Sequence, residues 1–244
     1  MANDLYHNYF LNRGCDPTIY SNYKIPIYLE GILPKDFNAR ILDIGCGFGQ
    51  LLRALKERGY KNLSGVDLCP EAVDYCQKQG LDVQKIKSLQ EHAQQSTVRE
   101  YDFVIMSHVL EHMEKDKIIF TLKLIRDVLL KQDGRLLVMV PNAQSNTGCY
   151  WAYEDFTHHT LFTAGSLAFC LRSAGFEEIS FLDPQGIAGN GLLKRAIKSI
   201  LLKAYEINYI FWNKVTSSAF HQASPRIFTF EVKALTWNKG INNR

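Results

Sequence analysis

An apolar run that breaks into three evenly spaced glycines, Ile41-Leu42-Asp43-Ile44-Gly45-Cys46-Gly47-Phe48-Gly49, constrains this chain more than any other segment. It reads as a strand, a tight turn and the start of a helix. Glycines at 45, 47 and 49 tolerate positive φ and have no Cβ, so the backbone there can close on a nucleotide-like ligand. A dinucleotide fingerprint needs its third glycine at position 50; Gln50 stands there, which points away from NAD. A second short apolar strand, Leu63-Ser64-Gly65-Val66-Asp67-Leu68, places a carboxylate 18 residues beyond Gly49. In a βαβ unit Asp67 then lies at the carboxyl end of the neighbouring strand, where its two oxygens can accept both hydroxyls of a ribose.

Apolar strands and amphipathic helices alternate from Arg40 onward, the pattern of a parallel sheet covered on both faces. Strands are predicted near 40–45, 62–67, 82–87, 101–107, 134–140, 176–182 and 227–236, and helices near 49–59, 70–79, 90–97, 115–131, 164–174 and 190–212. The last strand follows a long helix and can pair antiparallel at the sheet edge. A chain of 244 residues buries a full core as one domain, taken as 39–244, preceded by an aromatic leader, 1–38, with Tyr6, Tyr9, Phe10, Tyr20, Tyr23 and Tyr28. A net charge of +3 with 22% charged residues argues against a nucleic-acid surface. The six cysteines show neither a C-x-x-C pair nor zinc spacing and read as reduced thiols. The N-terminus carries no basic and apolar signal pattern and no stretch has 18 apolar residues, so a cytoplasmic location is expected.

Residues 43–49, taken with Asp67, resemble the first motifs of the class I S-adenosylmethionine (SAM) methyltransferases. The resemblance implies a Rossmann-like α/β fold: a seven-stranded sheet with helices on both faces and the last strand antiparallel. It also implies SAM as cofactor, S-adenosylhomocysteine as product, and Asp43, Gly45, Gly47, Gly49, Asp67 and Leu68 as cofactor contacts. In such enzymes a leader like 1–38 folds over the ligand as a lid; an aromatic helix covering the sheet is the plainer reading. The fourth strand runs into Ser107-His108-Val109-Leu110-Glu111-His112. Ligands of open α/β sheets gather at carboxyl ends of strands, which assigns Ser107 and His108 to the cofactor. The string resembles the HVLEH segment common in the family and draws Glu111 and His112 to the site.

The loop 141–163 after the fifth strand combines Asn142, Trp151, Tyr153, Asp155, Thr157, His158 and His159. Aromatic faces stack on C–H faces while polar side chains bond hydroxyls, so Asn142, Trp151, Tyr153 and His159 suit a sugar-like or cyclic polyol acceptor. Asp155-Phe156-Thr157-His158 with Leu161-Phe162-Thr163 resembles a D-x-T-H…F-T signature of methyltransferases associated with glycan enzymes, with Phe156 where proline is common. An aliphatic hydroxyl is a poor nucleophile at neutral pH, and a base that takes its proton helps. His158 is the expected base, Asp155 its orienting or charge-stabilising partner, and His112 a third catalytic candidate. His158 and His159 with Asp155, Glu111 and His112 could instead bind a metal, but no H-x-x-x-H pair on a predicted helix and no carboxylate pair supplies a recognisable geometry, so no metal is expected.

The expected activity is SAM-dependent O-methylation of a sugar hydroxyl or a lipid-linked glycan precursor. Methylation of a quinone precursor or other small aromatic, and a SAM-binding scaffold or regulator, are the alternatives. In the segment 190–212, Leu193, Ile197, Ile200, Ala204, Ile207 and Phe211 fall on one stripe, and Lys194, Arg195, Lys198, Tyr205, Tyr209 and Trp212 on another. Such a helix either packs on the sheet or makes weak peripheral contact with the inner face of a membrane.

Overall fold

The computed structural model describes residues 6–96, 98–217 and 225–240. The first five residues of the leader, and residue 97 of the expected helix 90–97 with residues 218–224 and 241–244 of the expected domain, lie outside that set. Among the described residues two short α-helices come first, α1 (Tyr9–Asn12) and α2 (Ile27–Glu30). The chain then alternates β1 (Arg40–Ile44), α3 (Gln50–Glu57), β2 (Asn62–Asp67), α4 (Pro70–Lys78), β3 (Val83–Lys85), α5 (Leu89–Gln95), β4 (Tyr101–Ser107) and α6 (Lys115–Leu124). The remaining elements are β5 (Leu130–Pro141), α7 (Gly148–Glu154), α8 (Ala164–Ser173), β6 (Ile179–Phe181), α9 (Leu192–Val215) and β7 (Glu231–Trp237).

Side chains that alternate along the strands fill two cores. Leu42, Val104, Met106, Leu136 and Val138 face one side and meet Leu89 of α5, Ile118 and Leu122 of α6 and Leu167 of α8. Ile41, Phe103, Ile105 and Leu137 face the other and meet Leu51 and Leu55 of α3 and Leu29 of α2. Burying each such side chain stabilises by roughly 1.5–3 kcal/mol, and a one-residue slip would exchange the faces, so the register is fixed. The seven strands lie in the order β3-β2-β1-β4-β5-β7-β6. The first five pair parallel, and β7 runs antiparallel to both β5 and β6. This is the layout implied by the resemblance. Connections reverse direction between β1 and β4, so the carboxyl ends of these two strands flank the crevice where open α/β sheets bind ligands.

Several boundaries differ from the sequence pattern. The helix expected over 115–131 gives way to a wider turn at Ile125–Leu129, and β5 starts at Leu130. The last strand begins only at Glu231. Leu29 and Leu33, with Tyr23, Ile25 and Tyr28 against them, belong to the second core, so the later part of the leader is built into the domain. All six cysteines are unpaired.

Candidate active site

Gly45, Gly47 and Gly49 have φ of 71°, 53° and 69°. That region costs other residues about 1–2 kcal/mol, so the turn after β1 takes its shape from the glycines. Gly45 and Cys46 donate their N–H groups to the Val66 carbonyl, which ties the turn to β2. Asp67 ends β2, with Oδ2 accepting from the Gly47 N–H at 2.8 Å and Oδ1 from the Cys69 N–H at 2.8 Å. Each oxygen keeps a further lone pair for a ligand hydroxyl. Half-buried Leu68 adjoins it. Asp43 is buried at the end of β1, and that burial, then the neighbouring charge of Asp67, pushes its carboxyl up to about 8. A glycine turn over two carboxylates fits a ribose-bearing cation such as SAM.

The leader lies across this turn. Phe10 stacks on Phe48 with ring centroids 4.4 Å apart, and its Cζ would stand 3.3 Å from a Cβ on Gly47. The Asn8 N–H donates to Glu71 Oε1 of α4 at 3.0 Å. A second anchor reaches the far side of the crevice: Tyr9 donates its hydroxyl to Asp155 Oδ2, and Arg13 Nη1 lies 2.9 Å from the same oxygen.

Asp155 collects the polar groups of the 141–163 loop. Thr157 donates its hydroxyl to Asp155 Oδ1 at 2.6 Å, so that hydroxyl is left to accept from His112 Nδ1 at 2.7 Å. His158 Nδ1 lies 2.6 Å from the Trp151 carbonyl, which can only accept. Both imidazoles are therefore protonated at Nδ1, and in their neutral forms each presents a basic Nε2. The two rings meet edge to face with centroids 4.6 Å apart. His112 is held below the usual histidine value, chiefly by burial. Asp155 is held down to about 2: burial alone would raise it, but the bonds from Thr157 and Tyr9 outweigh that.

A second set of charges lies beside the first. His108 follows β4 with a left-handed φ of 54°, a strained conformation for a residue with a side chain. Its Nδ1 is 3.2 Å from Glu111 Oε1 and its Nε2 is 3.7 Å from Glu231 Oε1. Burial lowers its affinity for a proton, yet the two carboxylates raise it to about 10, so it is an imidazolium at neutral pH. Lys233 stands 3.4 Å from Glu231, and both are buried on β7.

The expected site residues thus fall into three groups. Asp43, Leu68, Asp67 and the three glycines gather at the crevice, with Ser107 at the end of neighbouring β4. His112, Asp155 and His158 form one cluster, but Asp155 does not orient His158: its Oδ2 is 3.8 Å from Nε2, and the Trp151 carbonyl fixes the ring. The side chain of His108 turns to Glu111 and Glu231. The remaining acceptor residues are placed otherwise than expected. Asn142 is fully buried and its amide is used inside the fold, donating to the carbonyls of Ile227 and Thr229 and accepting from the Gln144 N–H. Tyr153 is 82% exposed, His159 is exposed, and Trp151 contributes its carbonyl and packs near Phe230.

Although no metal was expected, Glu111, His112 and His158, all among the residues the sequence offered as metal candidates, each bring a ligand atom within 4.8 Å of the others. Glu111 Oε2 is buried without a partner. These three residues could hold a divalent cation. Tyr9 was read only as part of the aromatic leader, and Arg13, Glu231 and Lys233 were missed. Two opposite charges on one face of an otherwise apolar terminal strand were the available signal for the last pair.

A cavity of about 570 Å³ lies between residues 26–28, β7 and α9. Ile27, Tyr28, Leu202, Phe228 and Phe230 give it an apolar lining, and Glu231 joins it to His108. The helix α9 bounds it with Lys198 and Leu202, and Tyr205 and Tyr209 pack on Phe228 at 5.3 Å each. Tyr205 and Tyr209 of the second stripe therefore face the body, whereas Trp212 is 55% exposed.

Residues 23–180 match the family model described as a methyltransferase domain. A ubiquinone biosynthesis O-methyltransferase from Aeromonas salmonicida is 35% identical over 96 residues, which cover 36% of this chain and 40% of that protein. The chain thus matches less than half the length of that relative. The crystal structure of a SAM-dependent methyltransferase from Archaeoglobus fulgidus superposes with a TM-score of 0.60 at 21% identity, covering 82% of this chain and 86% of that one. A phosphoethanolamine N-methyltransferase from Haemonchus contortus, solved with SAM, superposes with a TM-score of 0.56 at 15% identity, covering 89% of this chain and 53% of that one. With its sheet order, glycine turn and paired carboxylates in place, this chain belongs to the methyltransferase-domain family, whose members draw a methyl group from SAM.

Proposed function

We propose that this protein O-methylates a hydroxyl on an amphiphilic acceptor, a sugar of a lipid-linked glycan precursor, with His158 as general base. The observation that carries the reading is the pair of imidazoles fixed at Nδ1, each with Nε2 left to accept a proton beside buried Asp155. SAM, when bound, supplies an electrophilic methyl group. The glycine turn and Asp67 hold its nucleoside, and Phe10 and Tyr9 close over the crevice and exclude water. His158 Nε2 takes the acceptor proton as the oxygen attacks, and the Asp155 carboxylate stabilises the resulting imidazolium across 3.8 Å. His112 stays neutral because burial lowers its proton affinity, so it does not compete for that stabilisation. The apolar cavity beneath α9 suits the acceptor's anchor, which would bring the protein into weak peripheral contact with the inner face of a membrane.

A quinone-precursor phenol is the second acceptor reading, favoured by the activity named for the Aeromonas relative. A phenol ionises near pH 10, far more readily than an aliphatic hydroxyl, and asks less of a base. A cation held by Glu111, His112 and His158 is a second way for the same cluster to work, favoured by the unpartnered Glu111 Oε2. Labelled SAM should be incubated with lipid-linked sugars, soluble nucleotide sugars and quinone precursors in separate reactions, for wild type and His158→Ala, with and without chelator. Label in the lipid-linked sugars, a turnover about 10²–10⁴-fold lower in the variant and no effect of chelator are expected. Label confined to the quinone pool overturns the acceptor, and loss of turnover with chelator overturns the free-base role.

A further inference from the structure

The 24 residues of α9 include none that is buried, although the helix is rich in leucine and isoleucine. At 100° per residue, Leu202, Tyr205, Tyr209 and Lys198 form the side that meets the body, with Lys198 donating to the Gly186 carbonyl and Tyr205 to the Gln144 carbonyl. Leu193, Ile197, Ile200, Ala204, Ile207 and Phe211 form the opposite side. Their outward direction is decisive: Leu193, Ile200, Ile207 and Phe211 are 76%, 68%, 60% and 57% exposed. No described segment packs on this stripe. A continuous apolar strip of that kind on a surface marks a contact with something else.

Charge selects the occupant. The helix carries Lys194, Arg195, Lys198, Lys203 and Lys214 against a single acid, Glu206, which is already paired with Lys203 and Arg226. Lys194 and Lys214 sit at opposite ends and flank the strip on its two edges, with Trp212 near the second end. A second copy of this chain would bring the same basic edges against one another. An anionic bilayer would accept the apolar strip between its headgroups and attract both edges, and Trp212 suits that boundary. The body side of the same helix bounds, with Lys198 and Leu202, the cavity that runs to Glu231 beside His108.

We propose that the outward face of α9 docks on the surface of an anionic membrane. This rests on the reading of an acceptor with an apolar anchor. Each basic residue near an anionic surface contributes roughly fivefold in partitioning. Sedimentation with phosphatidylcholine vesicles, with and without phosphatidylglycerol, tests it. The protein should sediment only with the anionic vesicles and be released by salt. Lys194→Glu/Lys214→Glu should weaken partitioning on the order of 25-fold or more, and Ile200→Glu/Ile207→Glu should abolish it, with calorimetric SAM binding unchanged in both. No sedimentation of wild type, or none lost in the isoleucine variant, overturns the proposal. So does a wild-type dimer that the isoleucine variant converts to monomer, since the strip would then join two copies. Methyl transfer to a tail-less acceptor without vesicles keeps the two readings apart: its failure counts against the acceptor, while failed sedimentation counts against the docking face.

Discussion

Removing the carboxylate of Asp155 should loosen the leader and the base loop together, because one buried side chain holds both. Asp155 is 4% exposed and receives the Thr157 hydroxyl and N–H on one oxygen and Tyr9 and Arg13 on the other. Its carboxyl lies near 2 in the folded protein, against an ordinary value of 3.8. Each pH unit is worth about 1.4 kcal/mol, so the charged form contributes about 2.5 kcal/mol. Because the folded value is the lower one, this stability is complete above the unfolded value and is lost as pH falls through about 2. Arg13 is 36% exposed and finds water when freed, so its ion pair adds less than about 1 kcal/mol. Asp155→Ala should therefore cost about 3 kcal/mol at pH 7 in urea unfolding, and the gap from wild type should narrow between about pH 4 and pH 2. Trypsin should also cut after Arg13 faster in the variant, since that stretch loses its tie to the loop and keeps its contacts at Phe48 and Glu71 and, through the Tyr20 carbonyl, at Arg53. A gap under about 0.5 kcal/mol at pH 7, or one independent of pH, would refute this account of the carboxylate.

Three further outcomes follow from the site. Gly49→Ala combines a φ of 69° with a Cβ only 2.6 Å from Leu81 Cδ1 and 2.9 Å from Cys76 Sγ, and should cost about 2–5 kcal/mol in urea unfolding. Gly47→Ala meets only the edge of Phe10 at 3.3 Å and should cost about 1–2 kcal/mol while weakening SAM binding in calorimetry; equal destabilisation by the two would contradict the packing described. Asp43 has its folded value raised to about 8, so the native state holds the extra proton and wild-type stability should decline as pH rises from about 4 to 8. Asp43→Asn should flatten that decline by a few kcal/mol, and parallel melting-temperature profiles for the two proteins would show that Asp43 ionises freely. His158→Gln should retain SAM affinity and lose turnover about 10²-fold or more, whereas a proportionate loss of both in calorimetry and kinetics would mark His158 as structural.

The sequence alone determined the sheet and its glycine turn, because both are written in neighbouring residues. Period-two alternation in Leu42, Val104, Met106 and Val138 places side chains on a face wherever the strand sits, and only glycine tolerates φ near 70° at positions 45 and 49. Asp43 and Asp67 were legible for the same reason: each ends a short apolar strand, and strand ends gather at the crevice. Tertiary structure decided everything that depends on distant partners. Tyr9 meets Asp155 across 146 positions, His112 meets Thr157 across 45, and nothing local to Asn142 reveals that its amide is consumed by the backbone at 227 and 229. The same holds for α9: periodicity identifies its apolar stripe, but only the packing of Tyr205 and Tyr209 on Phe228 turns that stripe outward. A pattern of residues specifies which side of an element is apolar; what covers that side is set by the rest of the chain, and here no described part of the chain does.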